Sequence, residues 1–209
     1  MHLFSRSTTA RPERIFDAMA FATDIAKHVT KVTGLEVSTW STVYGQPVGS
    51  IGWSARVDSV AAMGAATATL LADATYVGRV AEAAELFAGP TEDSITQFVA
   101  TAGPGNPVGD VVSLVRTQCA PGKIAAAMAW SVDMIQHLAK ITGSDVSLVR
   151  SLFGPWASLG FIASAGSLDA LDAANAAMAA DATYVAKLDE AGPLFLPGAT
   201  HQVLLQRLG

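Results

Sequence analysis

The sequence predicts an α+β chain of two tandem β-α-β-β-α-β repeats. Three observations predict it. The first is internal repetition. Asp24-Ile-Ala-Lys-His28-Val-Thr-Lys-Val-Thr-Gly34 returns as Asp133-Met-Ile-Gln-His137-Leu-Ala-Lys-Ile-Thr-Gly143, and Ala72–Val77 returns unchanged as Ala180–Val185. Roughly four positions in ten are identical between residues 18–87 and their match, far above chance for one chain. The spacing is 109, falling to 108 after one deletion in a hairpin. Such a period is too long for a solenoid unit, so a domain of about 100 residues has been duplicated. The second observation is the order of elements within each copy. The third is composition: of 209 residues, 51% are hydrophobic and 15% charged, against about 25% charged in an average soluble domain. That balance excludes a disordered chain. It also predicts that some apolar surface is hidden in a subunit interface or a ligand cavity.

The elements are clearest in the second copy. Alternation over Ser113–Cys119 reads as a strand, closed by Pro121-Gly122. Helical spacing runs from Lys123 to Thr142 and stops at Gly143, a C-cap residue. Strands follow over Val146–Phe153 and Ser158–Ala165, joined through Gly154-Pro155. Ser167 caps an alanine-rich helix over Leu168–Ala180, and Asp181 caps a short helix through Glu190. A last strand covers Thr200–Arg207, with its match at Ser94–Ala100. This order is the ferredoxin-like split unit, whose sheet carries helices on one face only. Two copies covering each other's bare faces would give a single-chain α/β barrel. The predicted boundaries are repeat one at 1–100, a Gly/Pro linker at 101–110 and repeat two at 111–209.

Several function classes are disfavoured. The net charge is −5 and no Lys/Arg cluster occurs, so a nucleic-acid surface is not expected. Met1–Pro12 has Arg6 and Arg11 and no apolar core segment, so no signal peptide is expected. The longest uncharged runs, Val37–Ala55 and Ser151–Leu168, are broken by Gly and Pro and read as hairpins rather than membrane spans. The lone Cys119 cannot form an internal disulfide, which fits a cytoplasmic setting. It reads as a small hydrophobe in a strand. No nucleophile elbow, phosphate loop, zinc spacing or carboxylate dyad occurs, so neither metal nor cofactor is expected.

Leu114-Val-Arg116-Thr117…Pro121-Gly122-Lys123 resembles the opening strand and turn of NIPSNAP-like proteins in the dimeric α/β-barrel superfamily. Phe153-Gly154, Ser167-Leu168 and Ala179-Ala-Asp181-Ala-Thr-Tyr184 are similar to that family's hairpin, second-helix start and Asp-x-x-aromatic turn. Copy one keeps Arg6, Gly45, Ser59, Asp73 and Tyr76 but has Arg11-Pro12 in place of the Pro-Gly turn. The resemblance implies the dimeric-type barrel and its cavity. It implies no single activity, since related barrels include cofactor-free monooxygenases, haem-binding enzymes and proteins without known chemistry.

The residues that could carry chemistry are few. Asp24–His28 and Asp133–His137 are i, i+4 pairs, so each pair shares a helix face. A nearby carboxylate favours a charged imidazole, making His28 and His137 candidate acid/base groups. A helix-surface pair retained from the duplication is the plainer reading. Arg6 and Arg116 lie in matching first strands, where they could clamp an anionic ligand or form strand-to-strand ion pairs. Alternation puts Ser38, Trp40, Thr42 and Tyr44 on one side of a strand, answered in copy two by Ser147, Val149, Ser151 and Phe153. Arg150 stands where copy one has Ser41. Trp40, Tyr44, Trp53, Phe153 and Phe161 could line a pocket for an apolar ring, with Arg6, Arg116 and Arg150 as polar contacts, or form plain core. Tyr76 and Tyr184 read as anchors behind the capping aspartates. His201, without a counterpart, reads as structural.

The expected function is binding of an apolar or aromatic small molecule, or an assembly role, in a homo-oligomer without nucleic-acid or membrane partners. The alternative is a cofactor-independent monooxygenase or related enzyme acting on an aromatic or apolar substrate. Haem held by His28, His137 or His201 is a third reading.

Overall fold

The computed structural model describes residues Met1–Gly209 and contains both repeats in the predicted order. In the first, β1 (His2–Thr9) leads through a 3-10 turn at Pro12–Arg14 into α1 (Ile15–Thr33). Then come β2 (Val37–Tyr44), β3 (Ser50–Val57), α2 (Val60–Ala72), α3 (Ala74–Glu82) and β4 (Glu92–Ala102). The second repeats this as β5 (Val111–Gln118), α4 (Ile124–Thr142), β6 (Val146–Ser151), β7 (Ser158–Ala165), α5 (Leu168–Ala180), α6 (Ala182–Ala191) and β8 (His201–Arg207). The eight strands form a closed antiparallel barrel in the order β1-β3-β2-β8-β5-β7-β6-β4. The chain divides into two compact units, Met1–Thr96 with Gln206–Gly209, and Gln97–Leu205, so the division falls inside β4 and β8.

The caps follow local chemistry. Gly34 (φ 76°) and Gly143 (φ 67°) end α1 and α4 in the left-handed region, which glycine enters without a Cβ penalty. The Ser59 and Ser167 hydroxyls accept the Ala62 and Ala170 N–H groups at the starts of α2 and α5. The Asp73 and Asp181 carboxylates do the same for Tyr76 and Tyr184 on α3 and α6.

Three differences from the sequence reading have simple causes. The turn at Pro12–Arg14 uses the fixed φ of proline to open a helix. β4 extends beyond Ser94–Ala100 at both ends, and no Gly or Pro lies within Glu92–Ala102 to break the ladder. β6 stops at Ser151, short of Phe153, because Gly154 turns at φ 95° and Pro155 has no N–H to give. In the same hairpin Ala157 takes φ 59°, the position that Gly49 (φ 85°) fills in the first repeat.

Each unit has its own helix–sheet core. In the first unit Ala18 and Ala22 of α1 pack on Ile51, with Trp53, Phe87 and Leu86 around them. Trp53 and Phe87 meet edge to face, ring centroids 6.4 Å apart. In the second unit Ala127 and Ile135 pack on Leu148 and Leu159, with Phe161 and Phe195 around them. Trp130 meets Phe195 at 5.5 Å and Phe161 at 6.2 Å. Cys119 belongs to this core at 5% exposure, and burial pushes its thiol above the usual cysteine range. The uncharged runs noted above fall on the β2–β3 and β6–β7 hairpins, and no single helix is long and apolar enough to cross a membrane.

Candidate functional site

Strand register decides which face each candidate residue occupies. Arg6 stands opposite Trp53, and Trp53 opposite Thr39. Directly opposed residues share a face, and Trp53 lies in the core with α1. Arg6, Trp53 and Thr39 are therefore on the helix side. In the second unit Val115 and Leu148 stand opposite Phe161. The positional match of Arg6 is thus Val115. Arg116, opposite Gly160, matches Ser7, which stands opposite Gly52. One residue of offset puts the two arginines on opposite faces of their sheets.

On the helix side, Arg6 is held by Asp93 through two bonds, Nε to Oδ1 at 2.7 Å and Nη2 to Oδ2 at 2.8 Å, with the Tyr76 hydroxyl at 3.5 Å. The carboxylate raises the guanidinium above its already high range. Trp53 Nε1 donates to the Ala22 carbonyl at 3.0 Å. Phe161 packs under Trp130. Arg150 donates from Nε to Gln97 Oε1 at 2.8 Å.

The histidines belong to a duplicated device. His28 Nε2 donates to Asp73 Oδ1 at 3.2 Å, and His137 Nε2 to Asp181 Oδ1 at 2.9 Å. The same oxygens accept the Tyr76 and Tyr184 N–H groups, each at 2.7 Å. The acids one turn before the histidines face elsewhere: Asp24 pairs with Arg79, and Asp133 with Lys187. Each imidazole therefore ties the long first helix to the cap of the third. Asp73 is held below the usual carboxylate range chiefly by the Tyr76 N–H and then by His28. Asp181 is held there chiefly by His137 and then by the Tyr184 N–H. Burial raises the Tyr184 hydroxyl above the ordinary tyrosine range.

The opposite face of the first unit has a different character. Its rows read Ser5–Ser54–Ser38 and Ser7–Gly52–Trp40. All four serines are half-buried, and Trp40 is buried. Trp40 Nε1 donates to Ser54 Oγ at 2.9 Å. The Arg207 guanidinium lies over the Trp40 ring, 4.6 Å from its centroid, and donates from Nη1 to Ser38 Oγ at 2.9 Å. The matching rows of the second unit are Leu114–Ile162–Ser147 and Arg116–Gly160–Val149. There Ser147 meets the Thr101 hydroxyl at 3.0 Å.

Of the residues singled out in the sequence, Trp40 and Arg116 lie on this face of their own sheets, and Arg6, Trp53, Arg150 and Phe161 on the helix side. Tyr44 and Phe153 stand at the hairpin ends, 71% and 66% exposed. His201 is exposed at the start of β8. Sequence reading missed Arg207 and the serine rows. The available signal was the alternate pair Ser5 and Ser7 in the first strand, with Ser38 and Ser54 in the next two.

No family model and no curated protein sequence matches this chain. Solved structures do. A candidate monooxygenase from Fusobacterium nucleatum superposes over 100% of this chain and 92% of its own, with TM-score 0.73 and 9% identity. An anthrone oxidase-like protein covers the same shares, with TM-score 0.69 and 15% identity. A NIPSNAP domain protein from Burkholderia xenovorans matches 46% of this chain and 91% of its own, with TM-score 0.40 and 12% identity. At their identities the first two show a likeness of fold. The chain has the architecture of the dimeric α/β barrels, with both ferredoxin-like halves carried on one polypeptide.

Proposed function

We propose that this protein binds an apolar or aromatic small molecule through the first repeat, without a catalytic group of its own, and that it works as a homo-oligomer. One observation carries the reading. The sheet face turned away from the helices in the first unit presents four half-buried serines beside a tryptophan–arginine stack. The matching face of the second unit is more apolar, with Leu114, Ile162 and Val149 beside Arg116 and Ser147. Few aimed polar groups around an aromatic ring are the usual make-up of a ligand site. The ionisable side chains that could serve acid/base chemistry, His28 and His137, already hold helix caps. Self-association would cover part of an apolar surface on which Phe16, Val48 and Trp156 are each more than 80% exposed.

The test is titration with 1-naphthoate, an aromatic ring bearing one carboxylate, followed by tryptophan fluorescence. Trp40→Val places the second repeat's residue in the first and should weaken binding at least about tenfold. Equal affinity in the variant would refute this placement. Native mass spectrometry of protein from its own host reports retained ligand and subunit number together, and an empty monomer counts against the reading.

A second reading is a cofactor-independent oxygenase. It is favoured by the full-length likeness to a candidate monooxygenase and to an anthrone oxidase-like protein. Oxygen uptake on adding anthrone, abolished by Trp40→Val, would select it over simple binding.

A further inference from the structure

On the helix side of the first unit, at the end of the sheet where β2 begins, lies an open cleft of about 360 Å³. Thr23, Ala26, Lys27 and Thr30 form one wall, at i, i+3, i+4 and i+7 of α1, a single helical stripe. Val37, Ser38 and Thr39 of β2 form another, and Arg207–Gly209 border it.

The second repeat supplies an internal control. At the matching positions Thr23 becomes Val132, Ala26 becomes Ile135, Thr30 becomes Ala139 and Thr39 becomes Leu148. Ile135 and Leu148 are 1% and 0% exposed, and Val132 and Ala139 pack with them in the core. The same place is filled with hydrocarbon in one copy. In the other, Ala26 and Thr39 are smaller than Ile135 and Leu148, and Thr23, Thr30 and Thr39 bring hydroxyls. Lys27 takes the place of Gln136 and brings a cation.

Thr23 spends its O–H on the Met19 carbonyl at 3.1 Å, so the donors open to a ligand are the others. Thr30 Oγ1 accepts the Val37 N–H at 3.4 Å, which leaves its own O–H to give. Thr39 is 4% exposed, yet no side-chain hydrogen bond reaches its hydroxyl. Lys27 is in no ion pair. No acidic side chain lines the cleft, and Asp24, the nearest acid on α1, is held by Arg79. Two threonine hydroxyls and the Lys27 ammonium, with the Arg207 guanidinium at the border and no carboxylate side chain against them, suit a ligand that accepts hydrogen bonds and carries negative charge.

We propose that this cleft is a binding site for a small oxyanion, a carboxylate or phosphate group, present in the first repeat and closed in the second. Its α1 wall and Thr39 lie on the helix side of β2, while Ser38 and Arg207 at its border also belong to the Trp40 face. Lys27 supplies the charge, the Thr30 and Thr39 hydroxyls orient the oxygens, and Ala26 makes the room.

The test is a methyl NMR titration of the whole protein with inorganic phosphate and, separately, with propionate. Saturable shifts are expected at Thr23, Thr30 and Thr39, with none at Val132, Ala139 and Leu148. The relative affinities of the two probes distinguish a phosphate ligand from a carboxylate one. Lys27→Gln should weaken binding at least about tenfold. Ala26→Ile with Thr39→Leu copies the second repeat's packing, so it should fold, melt no lower than the parent and lose binding. No saturable shift with either probe, or equal binding in the filled variant, overturns the proposal.

Discussion

The two repeats share a backbone plan and differ in what they do with it. The second unit is the more fully packed: Leu148, Ile135 and Val146 are 2% exposed or less, and Leu114, Ile162 and Val149 occupy the far side of its sheet beside Arg116 and Ser147. The first unit puts Thr39 and Ala26 where the second has Leu148 and Ile135, and Ser5, Ser54 and Trp40 where it has Leu114, Ile162 and Val149. Duplication gives a chain two copies of each solution. One can keep stability while the other gives up packing for polar groups. The difference teaches where to look: a position that is hydrocarbon in one repeat and hydroxyl in the other marks a departure from mere folding.

The most severe way to break this comparison is to exchange the residues at the matched pair. Leu148→Thr should destabilise the protein by about 2–4 kcal/mol in urea unfolding, through the lost side-chain volume and a buried hydroxyl. Thr39→Leu should be neutral or stabilising, since it fills an open cleft. Equal costs would mean that the two sites are packed alike. The shared His–Asp device should instead respond the same way in both copies. Asp73 and Asp181 have folded pKa values below the ordinary 3.8. Their contribution is present above the unfolded value and is lost as pH falls through the folded one. The urea midpoint should therefore drop in the acid range below about pH 4. Asp73→Asn and Asp181→Asn should each start lower at neutral pH and lose part of that drop. A midpoint profile identical to the parent's would show that the caps contribute nothing. The smallest effect concerns the hairpins. Ala157→Gly gives the second repeat the residue that the first has at Gly49 and should stabilise by about 0.5–1 kcal/mol in thermal unfolding, because only glycine enters that backbone region freely.

Much of the fold could be read in advance, for local reasons. The helix ends at Gly34 and Gly143, the caps at Ser59, Ser167, Asp73 and Asp181, and the hairpins through Gly45 and Gly154 each depend on chemistry within four residues. Much less of the candidate site was legible. Asp24 and His28 share a helix face, yet their partners, Arg79 and Asp73, are contributed by an element some 45 to 55 residues onward. Arg207 has no sequence signal that ties it to Trp40, from which it is separated by most of the chain.

By itself, the sequence determined the duplication, the element order and the caps, because repetition and turn chemistry are written in neighbouring residues. Only the tertiary structure decided which face each side chain occupies. A strand alternates with period two, so a one-residue difference in register moves Arg6 to the helix side and Arg116 to the other, and no local pattern carries that information.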